Sequence, residues 1–362
     1  MKLIIFAGGI GTRLWPLSRK NSPKQFHKIF GDETSMENSY NTIKKAFNPE
    51  DIFVSTGIDY VEHTKEVIPE IPEENIIVEP MVRDTAAAIA YAMLRISEKF
   101  PDEPVVIRWQ NSLIKDPEAF IGALNEADQV FQNKEADFVY LTVPSRYPNT
   151  AVGWIKMDEK VRDLDNALGL YDFGGFTEKP DADTAQEYHD SGQYGWNPGC
   201  YITTPQFVLN SFKAKAPEFY EPMMRIKEAF GKENEWDVIT EEFEKIEKIS
   251  IDYALWEKLD HDGIKVVLAD YGWFYVSTWK DLKIALQKET LDNITQGEVL
   301  TRDSNNNIIY NSDPDSFVTT FGVNDLAIIN TPDGLLVCSM EKAEKIKELL
   351  AQIKDEGHED YL

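Results

Sequence analysis

Cysteine is nearly absent: Cys200 and Cys338 are the only two in 362 residues. That excludes a disulfide framework and fits reduced thiols in a cytoplasmic protein. Basic charge is also scarce, with 37 Lys and Arg against 63 Asp and Glu and a formal net charge of −26. Such a field repels phosphate polymers and anionic membrane surfaces, so nucleic acid is excluded as a partner. Long apolar runs are missing as well. The stretch Leu3-Ile4-Ile5-Phe6-Ala7 behind Met1-Lys2 is far shorter than a signal core, and nothing downstream approaches the ~18 apolar residues of a membrane span. No targeting or membrane segment is expected. A small anionic substrate is still allowed, because a few cations and backbone N–H groups in one cleft can override the global field.

What is present is a length that calls for one large domain plus an appendage. Short apolar runs at Leu3–Ala7, Asp51–Ser55, Ile76–Glu79, Val105–Ile107 and Phe138–Val143 read as strands. The periodic stretches Thr85–Phe100, Pro117–Phe131, Ala182–Ser191 and Phe207–Phe230 read as covering helices. This alternation predicts a Rossmann-like α/β domain with a mostly parallel sheet over residues 1–290, with ligands at the carboxyl ends of the strands. Residues 291–362 read as a small β-rich domain: Val299–Tyr310, Val318–Gly322 and Leu326–Cys338 are β-rich and separated by turn residues, ahead of a helical Glu341–Lys354. No clean hexapeptide period separates a β-solenoid from a small barrel there. The acidic tail Asp355–Asp360 is expected to fray.

The strongest motif is Phe6-Ala7-Gly8-Gly9-Ile10-Gly11-Thr12-Arg13-Leu14-Trp15-Pro16-Leu17-Ser18-Arg19, followed by Pro23-Lys24-Gln25-Phe26. The first strand ends in a glycine loop. Glycines let the backbone approach phosphates and aim N–H groups at them, and Arg13 and Lys24 add cationic charge. A tight turn would account for the bare Gly-x-Gly equally well. No Gly-Lys-Ser/Thr follows, so this is not a Walker A loop.

The full string resembles the signature loop of the sugar-nucleotide pyrophosphorylases, in the version carried by the mannose-1-phosphate guanylyltransferase branch. Similar blocks continue in the family's order at Val78-Glu79-Pro80 with Arg83-Asp84-Thr85-Ala86, Leu113–Pro117, Phe176-Thr177-Glu178-Lys179-Pro180, Trp196-Asn197-Pro198-Gly199 and Ser250-Ile251-Asp252-Tyr253. The resemblance implies guanylyl transfer from GTP to mannose 1-phosphate, giving GDP-mannose and pyrophosphate, with Mg²⁺ or Mn²⁺ as cofactor. It leaves room for a homodimer. It assigns Ala7, Gly8, Gly9, Gly11, Thr12, Arg13, Glu79 and Arg83 to the nucleotide, and Gly153, Glu178, Lys179 and Asn197 to the sugar phosphate. Arg13, Lys24 and Lys179 become the catalytic cations.

These assignments have chemical content and plainer alternatives. Glu79 at a strand end can accept from the N1–H and N2–H₂ edge of guanine, which adenine lacks; otherwise it is a solvated surface carboxylate. Lys179 can face a sugar phosphate and Asn197 sugar hydroxyls, or they form a loop ion pair and a turn. Ser250 is equally well a helix N-cap.

Three positions depart from the family's pattern. Trp109-Gln110-Asn111-Ser112 stands where Pro-Ala-Asp-His is usual, so Asn111 replaces a metal-binding Asp. Gly272-Trp273-Phe274-Tyr275 puts Tyr275 where the second metal Asp belongs, and Ala151 replaces a glycine near the sugar. An amide brings no charge and a phenol with a pKa of about 10 is a poor ligand for a hard cation. A second reading is therefore a weak or inactive homologue that binds GTP or GDP-mannose as a sensor or regulatory subunit.

Overall fold

The computed structural model describes residues 1–9, 11–29 and 31–362; Ile10 of the glycine loop lies outside them. The chain forms two compact units that do not follow its linear order: residues 1–8, 41–109 and 114–273 make the first, and residues 9–40, 110–113 and 274–362 the second.

In chain order the first twelve strands are β1 (Lys2–Phe6), β2 (Ile52–Gly57), β3 (Ile76–Glu79), β4 (Val105–Trp109), β5 (Ser112–Ile114), β6 (Phe138–Pro144), β7 (Gly153–Arg162), β8 (Gly169–Thr177), β9 (Tyr194–Asn197), β10 (Tyr201–Thr203), β11 (Ile264–Leu268) and β12 (Trp273–Tyr275). The first unit is built on a ten-stranded sheet in the order β11-β8-β7-β9-β6-β10-β4-β1-β2-β3. The sheet is mixed. β4-β1-β2-β3 is parallel throughout, as is the β11–β6 pairing, whereas β10, β9, β8 and β7 pair antiparallel. The parallel strands are near-continuous apolar runs because both faces are covered, as with Leu3, Ile4 and Ile5 of β1, none of them exposed. Helix Asp84–Ser97 covers one face and is itself enclosed nearly all round, with Ala86 to Leu94 and Ile96 all buried, because helices Pro205–Lys215 and Pro217–Ala229 pack on it in turn. The stretch read as one helix from Phe207 to Phe230 is two, Pro205–Lys215 and Pro217–Ala229. Pro217 has no N–H to give the preceding turn and fits only a first turn, so it divides them.

In the second unit, β13 (Ile294–Gln296), β15 (Ile308–Asn311) and β17 (Leu326–Thr331) stack in parallel, as do β14 (Val299–Arg302) and β16 (Val318–Phe321). β18 (Gly334–Ser339) closes the stack antiparallel to β17. This is a short β-solenoid, and it settles the choice against a barrel. The coils are unequal, 19 residues at Ile308↔Ala327 and Val299↔Val318 but 14 at Ile294↔Ile308, so no six-residue period was there to find. Asparagines hold the turns: Asn330 Nδ2 donates to Asn311 Oδ1 (2.9 Å), and buried Asn307 donates to Asn293 Oδ1 and accepts from Leu326 N–H.

The segment after the glycine loop packs into this same unit. Leu14, Trp15, Leu17 and Ile29 share a core with Trp279, Ile308, Tyr310, Ile329 and Ile346. Tyr310 Oη donates to Lys28 C=O (3.0 Å), and Trp15 Nε1 donates to Tyr361 C=O (2.7 Å). The tail expected to fray thus follows helix Ile346–Asp355 with a 3₁₀ turn at Glu359–Tyr361 that receives this indole.

Candidate functional site

The site residues fall into two groups, one in each unit. In the first unit, Phe6 pairs in register with Ser55 and with Trp109, and Gly57 pairs with Glu79. The carboxyl ends of the four parallel strands therefore carry Ala7-Gly8, Ser55, Glu79 and Trp109 in one row. Alternation puts Ser55 and Glu79 on the same face as Phe53 and Ile77, which belong to the core under helix Asp84–Ser97. Glu79 is buried; Ser55 Oγ donates to its Oε1 (2.7 Å). A Cβ on Gly8 would lie 3.6 Å from that same oxygen, so the glycine loop begins against the carboxyl group. Burial pushes the Glu79 carboxyl up to about 7, against the pull of the Ser55 hydrogen bond. It is not the solvated surface carboxylate that the sequence left open.

Further along the same sheet lies a second cluster. Glu178 and Lys179 form an ion pair, with Glu178 nearly buried and Lys179 half exposed. Lys179 is left-handed at φ 47° ahead of Pro180, a conformation that costs an L-residue ~1–2 kcal/mol. Strain of this kind gathers where a side chain must be aimed. Gly153 makes room for Glu178: a Cβ there would come within 2.6 Å of Oε2. Asn197 spends its side chain on the protein, accepting from Gly199 N–H (2.9 Å) and donating to Tyr201 Oη (3.0 Å). Tyr201 Oη in turn donates to Asp252 Oδ1 (3.4 Å). Burial, and then the charge of Glu178, raise the Asp252 carboxyl well above the usual carboxylate range. Asp252 and Tyr201 were not singled out in sequence as functional, because Ser250 explained the local pattern. Tyr140 adds a buried hydroxyl with no hydrogen-bond partner among the described residues, its pKa raised by burial and by the charges of Asp252 and Glu257.

Arg83 is occupied elsewhere. Its Nε donates to Phe243 C=O (2.9 Å) and an Nη to Glu244 C=O (2.8 Å), at the end of helix Glu235–Lys245. Ala151 is exposed, its N–H donating to Asn149 Oδ1 (2.8 Å).

The second unit holds the cations. Gly11 is left-handed at φ 78° and starts the 3₁₀ turn Thr12–Leu14 that carries Arg13. A Cβ on Gly11 would meet Lys24 Cδ at 2.5 Å, so this glycine is required both by its conformation and by the lysine. Lys24 is buried, and its Nζ donates to Val276 C=O (3.2 Å). Burial lowers its ammonium to about 8; Asp281 opposes that shift and Arg13 adds to it. Val276 N–H donates to Asn111 C=O (3.0 Å), which brings the backbones at Asn111 and at Tyr275-Val276 together beside Lys24.

These neighbours do not suit the Mg²⁺ or Mn²⁺ that the resemblance of the sequence implies. Asn111 and Tyr275 offer an amide and a phenol, and among the described residues no three His, Cys, Asp or Glu side chains are grouped to hold a metal ion.

A mixed sheet whose parallel strands end in a glycine loop and a buried carboxylate, with a buried lysine packed against the loop's last glycine, is the framework of a phosphate-handling transferase. The chain belongs to the nucleotidyl transferase family, whose description matches residues 2–290. Residues 297–353 match a mannose-phosphate isomerase/GMP-like β-helix domain. Over 99% of its length the chain is 30% identical to the mannose-1-phosphate guanylyltransferase RfbM of Salmonella typhimurium strain LT2, of which it covers 73%. It is 28% identical to the mannose-1-phosphate guanylyltransferase of Escherichia coli K12, covering 74% of that protein. Among solved structures, one described as mannose-1-phosphate geranyltransferase from Thermus thermophilus superposes with a TM-score of 0.84 at 26% identity, over 98% of this chain and 99% of the other. No helix among the described residues is long and apolar enough to cross a membrane.

Proposed function

We propose that the protein transfers a guanylyl group from GTP to mannose 1-phosphate, releasing pyrophosphate and GDP-mannose. The observation that carries this reading is Glu79, a buried carboxyl at the end of β3 whose oxygen lies against Gly8 and is oriented by Ser55. Ionised, it accepts from guanine N1–H and N2–H₂; adenine has no such donor pair, and an unpaired buried carboxylate penalises the wrong base. Likeness to the mannose-1-phosphate guanylyltransferases along nearly the whole chain supports the substrate assignment, and none of the relatives named above is described as a sensor or regulatory subunit.

In the reaction, a phosphate oxygen of the sugar 1-phosphate attacks the α-phosphorus of GTP in line. The bond to the bridging α–β oxygen breaks, its electron pair leaves with pyrophosphate, and no covalent enzyme intermediate forms. The protein's part is to position the two anions and offset their charge. We assign loop residues Ala7, Gly8, Gly9, Gly11 and Thr12 to the triphosphate through backbone N–H groups, with Arg13 and Lys24 as its cations and Lys179 as the cation for the sugar phosphate. Glu178 and Gly153 belong with the sugar. Asn197 acts there through Tyr201, and Arg83, assigned to the nucleotide by resemblance, instead supports the end of helix Glu235–Lys245. We assign residues 1–290 to the transferase domain and 291–362 to the C-terminal domain, and place the protein in the cytoplasm on its two free cysteines and nucleotide chemistry. The test is direct: GTP, mannose 1-phosphate and Mg²⁺ or Mn²⁺ are incubated with the protein while pyrophosphate is followed, with ATP and glucose 1-phosphate as competitors. Absence of pyrophosphate under every cation would overturn the reading.

A further inference from the structure

Trp109 stands at the carboxyl end of β4, in the row that starts at Glu79 and passes Gly8. Its indole leans on Phe6, with ring centroids 4.8 Å apart, and on the backbone of Gly199. Gly199 is left-handed at φ 69°, and a Cβ there would come within 2.7 Å of Trp109 Nε1, so the ring fills the space where any side chain at 199 would go. Beyond Gly199 come Asn197, Tyr201 and Asp252. The indole is thus set between the carboxylate assigned to the base and the cluster assigned to the sugar.

Its polar edge is unspent. The N–H groups of Trp196 and Trp256 are buried without partners among the described residues, and that of Trp154 is bonded to Asn149 C=O. Trp109 Nε1 is neither: it donates to no described residue and is not among the buried orphans. A partly buried donor at the carboxyl end of a parallel strand, the edge where ligands of open α/β sheets lie, is placed to meet an acceptor on the ligand. What connects a nucleoside to a sugar in a nucleoside diphosphate sugar is a diphosphate, whose oxygens are acceptors only.

We propose that Trp109 is a binding residue for the diphosphate of a nucleoside diphosphate sugar, its indole N–H donating to a phosphate oxygen while its ring, braced by Phe6 and Gly199, walls the path between base and sugar. This rests on the proposed function. It gives Trp109 a role of its own rather than that of a filler beside the altered Asn111.

The experiment measures binding of GDP-mannose, GDP and guanosine by calorimetry to the parent, to Trp109→Phe, which keeps a ring against Phe6 and Gly199, and to Trp109→Ala. For one hydrogen bond to a charged acceptor, Trp109→Phe is expected to weaken GDP-mannose and GDP about tenfold and to leave guanosine within about twofold. Trp109→Ala should weaken the two phosphate-bearing ligands further. Unchanged GDP and GDP-mannose affinity in Trp109→Phe, with its unfolding midpoint at the parent value, overturns the diphosphate contact while leaving the proposed function intact. Equal losses for guanosine and GDP also overturn it, since they place the contact off the phosphates. A parent that binds none of the three ligands overturns both.

Discussion

Glu79 and Lys24 are the two buried charges assigned to the nucleotide, and burial acts on them in opposite directions. The carboxyl on the parallel sheet is pushed up to about 7, the ammonium beside the solenoid down to about 8. Each is held close to losing its charge by burial, which the Ser55 hydroxyl for one and the charge of Asp281 for the other only partly offset. Folding alone does not make either a good ion. A ligand that supplies the missing counter-group does, so binding energy is drawn from desolvation already incurred.

The comparison can be broken most forcefully at the basic side. Lys24→Met should lower guanylyl transfer on the order of 10²–10³-fold, the scale of ~3–4 kcal/mol of transition-state stabilisation. Chemical denaturation should find the variant no less stable than the parent, since a desolvated charge has been replaced by an isosteric apolar chain. Gly11→Ala should reproduce most of the activity loss, because its methyl and φ of 78° displace the same lysine. A Lys24→Met protein that turns over normally would end the assignment.

Adding acid to the basic side sharpens it. The double change Asn111→Asp with Tyr275→Asp should create a Mn²⁺ site, with affinity rising about hundredfold by electron paramagnetic resonance titration, and each single change should do much less. Parent-level Mn²⁺ binding in the double variant would mean that the side chains at 111 and 275 do not converge.

On the acid side, Glu79→Gln should reduce the preference for GTP over ATP by about tenfold, or ~1.4 kcal/mol. Competition titrations with the two nucleotides measure it. A preference left intact would remove Glu79 from base reading.

The smallest effect is the dependence on pH. GTP affinity should rise severalfold as pH climbs through about 7, where Glu79 ionises, and fall again above about 8, where Lys24 loses its proton. Stability follows other signs. Between the ordinary carboxyl range and about 7 the folded Glu79 holds a proton that the unfolded chain has lost, so this group's contribution declines as pH rises through that window. From about 8 to the ordinary lysine range the unfolded chain holds the extra proton, so the Lys24 contribution grows with pH. Glu79→Gln should abolish the acid limb of the binding profile and leave the alkaline one.

Much of this was legible in the residues. Ile76–Glu79 appeared with its limits because an apolar run ending in Glu is unambiguous at a strand end, and Ala182–Ser191 because Asp181 caps it and Gly192 stops it. The long antiparallel pair β7–β8 was not legible: Asp158 to Val161 are exposed, and half-solvated strands lack a continuous apolar signal. Lys24 and Glu79 could be named but not their burial, which depends on Val276 and Ser55, far away in sequence. Asp252 was hidden for the same reason, since its partners are contributed by positions 178 and 201. That Arg83 caps a helix 160 residues on is likewise a tertiary fact.

The indole of Trp15 bonded to the carbonyl of Tyr361 joins the first signature motif to the last turn of the chain. Trp279, Tyr310 and Gln296 grip the same N-terminal stretch. The solenoid and the signature segment are therefore one inheritance. A chimera that borrows residues 294–362 from a distant relative should misfold around Trp15 and Lys28 unless residues 12–29 are borrowed with them, and drift in one of these stretches must be answered in the other.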